Sequence, residues 1–197
     1  MKDSGVDWIG KIPEHWKISK NKYFLTMNSG DNIDTNFINN IGLYPVYGGN
    51  GLRGYLNRYN YEGEFLLIGR QGALSGNVHK VCNKFWATEH ALVGTLIKKI
   101  NFNYLYYVLD AENLNQYAFE TAAQPGISIS KIGNVNLPVP PLAEQQAIAA
   151  FLDDKCSQLD AVIAKKQQQV SILADYKKSL IYEYVTGKKE VTADEVH

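Results

Sequence analysis

Val135-Asn136-Leu137-Pro138-Val139-Pro140-Pro141-Leu142-Ala143-Glu144-Gln145-Gln146-Ala147-Ile148 is where the chain changes character. Proline can neither continue a helix nor donate a hydrogen bond inside a sheet, so this run reads as a break. Residues 142–186, which follow it, contain no glycine or proline and read as one long helix. Pro141 suits the first helical position, where its missing N–H costs nothing. Glu144 suits the positive end of the helix dipole, and Lys177 and Lys178 the negative end. Gly187 is a natural terminator. Leu152, Leu159, Lys166, Leu173 and Leu180 recur every seven residues. Ile148, Val162 and Tyr176 take the companion position, with Gln169 there too. That is a heptad seam, interrupted at Lys165–Gln169. About 45 residues make a rod of roughly 67 Å, longer than a domain of ~140 residues with a radius of gyration of about 14 Å. Its seam needs a partner helix.

Before the break, glycine and asparagine punctuate short apolar runs. Tyr44–Tyr47, Phe65–Ile68 and Ala91–Ile97 read as strands, and Tyr55–Tyr59 looks like another. Gly48-Gly49-Asn50-Gly51 must turn, because Gly and Asn tolerate positive φ. A helix is expected between Asn103 and Ala118, with Leu105, Val108, Leu109 and Leu114 roughly on one face. The fold class is therefore α+β: a mixed α/β domain followed by one long helix that pairs as an antiparallel coiled coil.

Composition narrows the function. The chain has 197 residues, 20 basic and 20 acidic. A balanced charge argues against a basic, non-specific nucleic-acid coat protein but leaves room for a local patch. Residues 1–137 carry 13 Lys+Arg against 11 Asp+Glu, and residues 138–197 carry 7 against 9. The front half thus has the sign that DNA binding needs. The two cysteines, Cys82 and Cys156, are far apart, so no disulfide framework follows. With no signal peptide and no membrane-spanning run, a reducing cytoplasm is the expectation.

The residues do not point to catalysis. Gly49-Asn50-Gly51-Leu52-Arg53-Gly54 fits GxGxxG literally, but a dinucleotide site needs a helix next, and strand-like residues follow. His79 and Cys82 have ligand-like spacing without a second pair, so no metal is expected. No Walker A loop, nucleophile elbow, nuclease-like carboxylate–lysine cluster or amino-methyltransferase motif (Asn/Asp-Pro-Pro-Tyr/Phe) occurs. What remains is a polar, basic set: Asn50, Arg53, Arg58, Arg70, Gln71, Lys80, Lys84 and His90. Gln124, Ser128, Ser130 and Lys131 form a second polar loop set. Arg and Lys can read guanine edges, Asn and Gln adenine edges, and the cations can also grip phosphate. Trp8, Trp16 and Trp86 are expected in the core.

Several stretches resemble type I restriction–modification specificity subunits. Asp3-Ser4-Gly5-Val6-Asp7-Trp8-Ile9-Gly10-Lys11-Ile12-Pro13-Glu14-His15-Trp16 looks like the opening motif of that family. Tyr44–Gly51, Leu67-Ile68-Gly69-Arg70-Gln71-Gly72-Ala73 and Phe85–Ala91 look like the framework of one class of its recognition domains. Leu137–Ile148 resembles the start of its spacer helix, and Val185-Thr186-Gly187-Lys188 the end. A full subunit of the family has two recognition domains held apart by two antiparallel helices, so this chain resembles half of one.

The resemblance implies a non-catalytic DNA-specificity subunit that directs adenine methylation and restriction to a bipartite target. Its implied partners are double-stranded DNA, modification subunits and restriction subunits. S-adenosylmethionine, ATP and Mg belong to those partner subunits, and no cofactor is expected in this chain. The expected division is a recognition domain over 1–137, a spacer and dimerisation helix over 138–187, and a tail over 188–197. Ile148, Leu152, Leu159, Val162, Leu173, Tyr176 and Leu180 would pair with a second copy, both ends of the chain resembling motif ends. The rival readings are a coiled-coil scaffold and the DNA-binding domain of a fused methyltransferase or nuclease.

Overall fold

The computed structural model describes residues 1–72, 74–121 and 124–191. Short strands β1 (Lys2–Asp3) and β2 (Lys11–Ile12) form an N-terminal hairpin. Then come β3 (Lys17–Lys20), β4 (Leu25–Ser29), β5 (Tyr44–Gly48), β6 (Gly51–Leu56), β7 (Tyr61–Glu62) and β8 (Phe65–Gly69). They are followed by β9 (Val78–Val81), β10 (Lys84–Ala87) and β11 (Ala91–Leu96). Helix α1 spans Phe102–Ala111, the hairpin β12 (Phe119–Thr121) and β13 (Gln124–Gly126) follows, and α2 spans Ile129–Asn134. Strand β14 (Asn136–Val139) leads into α3 (Leu142–Val185). The chain divides into two compact units, Met1–Ala149 and the residues from Ala150 onward.

Two four-stranded sheets make the first unit, in the orders β6-β5-β10-β7 and β4-β11-β8-β9. All their pairings are antiparallel except β10 with β5. Side chains alternate across a strand, and that alternation sorts the core into layers. On β8, Leu66 and Ile68 face a cluster with Leu105, Leu109, Leu114 and Ile132 from the helical side. Leu67, between them, faces a second cluster with Val81, Phe85, Ala87, Ala91 and Val93. Trp86 points the other way from Phe85, onto Ile33, Val46 and Leu56.

Several sequence expectations need correction. The proline run is not a bare break: β14 pairs with β3, with Pro138 opposite Ile18. A two-stranded sheet is all edge, and an edge tolerates a residue whose missing N–H faces away from the partner. Tyr55–Tyr59 is not a separate strand, since β6 ends at Leu56. The expected helix over Asn103–Ala118 stops at Ala111, because Asn113 takes a left-handed conformation (φ 51°), and a 3-10 turn covers Leu114–Tyr117. Trp8 is 38% exposed rather than core.

The first turns of α3 belong to the first unit, so that unit runs past the Leu137/Pro138 boundary. Gln145 is buried; its Oε1 accepts from the Asn101 N–H at 2.8 Å and its Nε2 donates to the Pro140 carbonyl at 2.9 Å. Glu144 accepts from the Trp16 indole at 2.8 Å and meets His15 Nε2 at 2.7 Å. Those two partners hold its carboxyl below the usual carboxylate range, Trp16 contributing most. Ile148, placed by the heptad in the seam, instead packs against the core of the first unit. Of the tail, only residues 188–191 are described.

Asn101 also fixes the start of α1. Its side chain caps α1 by accepting from the Tyr104 N–H at 2.8 Å. Asn101→Ala should lower stability by about 1 kcal/mol and the thermal midpoint by about 2–4 °C. A midpoint unchanged in differential scanning calorimetry would show that the cap contributes nothing.

Candidate nucleic-acid interface

Gly49 and Asn50 form a two-residue hairpin loop between β5 and β6, with Gly48 opposite Gly51. Positive φ at Gly51 (84°) is a conformation that L side chains resist. The loop is clamped from two sides. A Cβ on Gly49 would stand 2.9 Å from the Gln71 carbonyl and 3.0 Å from that of His90. A Cβ on Gly69 would stand 2.2 Å from the Gly49 carbonyl. The Arg70 N–H donates to the His90 carbonyl at 2.9 Å, and the Thr88 N–H to the Tyr47 carbonyl at 2.9 Å. Three segments distant in sequence, two of them glycine-bearing, are therefore fused backbone to backbone. The β12–β13 hairpin joins them, because Gln71 bridges Gly126 and the Ile127 N–H donates to the Arg70 carbonyl at 2.9 Å.

This frame carries an open concavity of about 390 Å³, lined by Gly49, Asn50, Leu52, Arg53, Gln71, Gly72 and His90. Asn50, Arg53, Gln71 and His90 of the predicted set thus converge, with Arg70 adjacent. The stem of Arg53 lies across Gly48, where an added Cβ would come 2.5 Å from Arg53 Cδ. Arg70 donates to Ser29 Oγ at 3.2 Å, and that hydroxyl donates to the Glu89 carbonyl at 3.0 Å. His90 Nδ1 is 3.0 Å from Gln71 Oε1, and its Nε2 is 3.1 Å from Glu89 Oε1. The polar ends are held on a rigid frame, which is what base reading needs. Ser29 and Glu89 escaped the sequence reading, because their roles depend on contacts made only in the fold.

The other predicted residues lie elsewhere. Arg58 stacks on Trp86, its guanidinium 4.9 Å from the ring. Lys80 and Lys84 line a separate concavity of about 620 Å³ with Tyr44, Tyr47, Glu62 and Cys82. Lys80 sits 4.7 Å from the Tyr106 ring and hydrogen-bonds Asn103 at 3.4 Å. Lys84 lies over Tyr59 at 4.6 Å and 3.8 Å from Glu62; the Tyr59 hydrogen bond, chiefly, raises its pKa. Ser128 caps α2 by accepting from the Lys131 N–H at 3.2 Å, while Lys131 Nζ reaches the Tyr117 carbonyl at 3.3 Å. Gln124 falls in β13, opposite Thr121.

Burial lowers the His79 pKa, favouring the neutral ring. No group of three or more His, Cys, Asp or Glu that could hold a metal occurs among the described residues. No helix there is long and apolar enough to cross a membrane.

In the second unit α3 presents a broad apolar stripe. Leu159 is 62% exposed and Leu173 65%. At 100° per residue, Leu152, Leu159, Val162, Ile163, Val170, Leu173, Tyr176, Leu180 and Ile181 fall within an arc of about 140°. Ile163, Val170 and Ile181 widen the seam that the leucine repeat alone marked out.

Comparison with known proteins agrees with this architecture. The type I restriction enzyme EcoprrI specificity subunit of Escherichia coli is 49% identical over 111 residues, covering 56% of this chain and 27% of that protein. The EcoDI specificity subunit, also from E. coli, is 24% identical over 181 residues, covering 91% and 40% respectively. The chain thus spans less than half the length of these relatives. The crystal structure of a type I restriction–modification S subunit from M. genitalium shares the fold, with a TM-score of 0.67 at 18% identity, over 88% of this chain and 47% of that one. The sequence pattern described as "Type I restriction modification DNA specificity domain" matches residues 13–172, and on that span the chain belongs to this family.

Proposed function

We propose that this chain reads DNA sequence as the specificity component of a type I restriction–modification enzyme, pairing with a second copy through α3 to direct a modification subunit, and a restriction subunit, to a bipartite target. The observation that carries the reading is the convergence of Asn50, Arg53, Arg70, Gln71 and His90 around one open concavity on a backbone-locked frame. Chemistry comes from the partners: S-adenosylmethionine, ATP and Mg act there, and this chain contributes none of its own.

The apolar stripe of α3 supports pairing. With a twofold axis at Lys166 and helices antiparallel, Leu159 meets Leu173, Leu152 meets Leu180 and Val162 meets Val170 of the other copy. Lys166 then meets Lys166 of the other copy at the centre rather than a leucine, while Gln169 lies opposite Ile163. Twofold symmetry makes the two half-sites identical and inverted. The target is then a gapped palindrome, with half-site centres about one helical turn, roughly 10 bp, apart. Single-molecule sequencing for methyladenine, in cells where this chain is the sole specificity component, tests this. An asymmetric bipartite motif would refute pairing with an identical copy.

Arg70 gives a residue-level test. Arg70→Ala in the assembled enzyme should reduce discrimination at one base pair by about 1–3 kcal/mol if Arg70 grips a guanine edge. If it holds phosphate, affinity should fall evenly across sequences. Unchanged affinity and preference in a competition binding assay would remove Arg70 from the site.

A further inference from the structure

The contacts of His90 have a chemical consequence. Its Nδ1 faces Gln71 Oε1 at 3.0 Å and its Nε2 faces Glu89 Oε1 at 3.1 Å. An amide carbonyl and a carboxylate are both acceptors, so a ring placed between them satisfies both only when it carries two protons. On losing one, the ring keeps the N–H that the carboxylate holds, the charge-assisted bond being the stronger. Nδ1 is then bare, and a carbonyl oxygen at that distance opposes lone pair to lone pair. The Gln71 amide is relieved by turning over, so that its own N–H donates to Nδ1.

We infer that His90, held by Glu89, is a positioning residue that sets which end of the Gln71 amide faces DNA, so that His90 protonation changes the base edge Gln71 selects. The inference rests on reading the concavity as the DNA-reading face. With the imidazolium, Gln71 turns its N–H groups outward, complementary to the acceptor-rich edge of guanine. With the neutral ring, Oε1 turns outward and accepts from an amino group, as on adenine or cytosine.

The charged groups that face His90 come from three segments. Glu89 belongs to its own turn. Arg70 lies on the adjacent loop, bonded to the His90 carbonyl through its backbone and to Ser29 through its guanidinium. Arg53 lines the same concavity from β6. Gln71 itself is exposed, and its side chain can be reached by a base.

The experiment uses the full chain assembled with its modification subunit. Binding is measured against the target and a set of duplexes changed at one base pair at a time. Gln71→Ala first identifies the position that Gln71 reads, as the one where preference disappears. The unmodified assembly is then compared at about pH 5.5 and about pH 8. At that position the preference should shift by about tenfold, from guanine at the lower pH towards adenine or cytosine at the higher. His90→Gln, which cannot titrate, should give the same preference at both. A pH-independent preference at the Gln71 position in the unmodified assembly overturns the inference and leaves the concavity reading standing. If Gln71→Ala, Arg53→Ala and Arg70→Ala each leave every base preference intact, the concavity reading falls, and this inference with it.

Discussion

Under the proposed pairing through α3, Leu159→Glu combined with Leu173→Glu should leave a monomer and erase recognition of a bipartite target. In the proposed antiparallel register each of these leucines meets the other between the two copies, so two substitutions place four carboxylates in the seam. A leucine buried from water contributes about 1.5–3 kcal/mol. Four lost leucines amount to about 6 kcal/mol or more, which raises the dissociation constant by about 10⁴-fold. Both side chains are more than half exposed within a single chain. The change should therefore move the unfolding midpoint of the recognition domain little, surface substitutions typically costing within about 0.5 kcal/mol. Sedimentation equilibrium at micromolar concentration reads the result directly. A double variant that keeps the mass of a pair would show that the stripe on α3 serves another contact. As a control, Lys165→Glu alters a charge in the polar interruption and should change pairing far less.

Phe85→Ala should unfold the recognition domain well below the midpoint of the unmodified protein. Phe85 has no exposed surface and sits where the two sheets meet. Its ring stacks on Tyr61 at 5.7 Å between centroids, and meets Phe65 at 5.7 Å and Tyr47 at 5.8 Å edge-on. Removing a buried phenylalanine costs about 3–5 kcal/mol, part lost transfer energy and part cavity. For a chain of this size that lowers the midpoint by about 6–20 °C. Because β10 also carries the turn that ends in His90, loss of its anchor should loosen the concavity along with the core. Phe85→Leu, which keeps most of the volume, should recover much of the loss. Calorimetry on the three proteins would check the order; a Phe85→Ala midpoint within about 2 °C of the unmodified protein, under 1 kcal/mol at this size, would mean that the sheets do not depend on this contact.

Some of this was legible in the residues because local physics decides it. The long helix follows from an uninterrupted run without Gly or Pro, ended by Gly187 with φ 69°. The strands at Tyr44 and Phe65 follow from short apolar runs bounded by glycine, and that at Ala91 from an apolar run between His90 and Lys98. The break in the helix at Asn113 was not legible, since asparagine adopts either conformation and the choice depends on what packs around it. Trp8 was misjudged for a similar reason: a large apolar side chain is usually buried, but only the packing decides which ones are.

The sequence alone determined the class of elements, the helix and its apolar repeat, and the family, since these depend on neighbours along the chain. The tertiary structure decided the site. Gln71 meets His90 across 19 residues and Arg70 meets Ser29 across 41, and neither pairing leaves a periodic trace. It also separated Lys80 and Lys84 from Arg53 and Gln71, which the sequence had grouped, and packed Ile148 against the core of the first unit. The physical reason is the same in each case. Periodicity reports which side of an element is apolar, whereas a site is made by elements whose backbones approach closely, as Gly49 and Gly69 do, and that approach is set by where the two sheets meet.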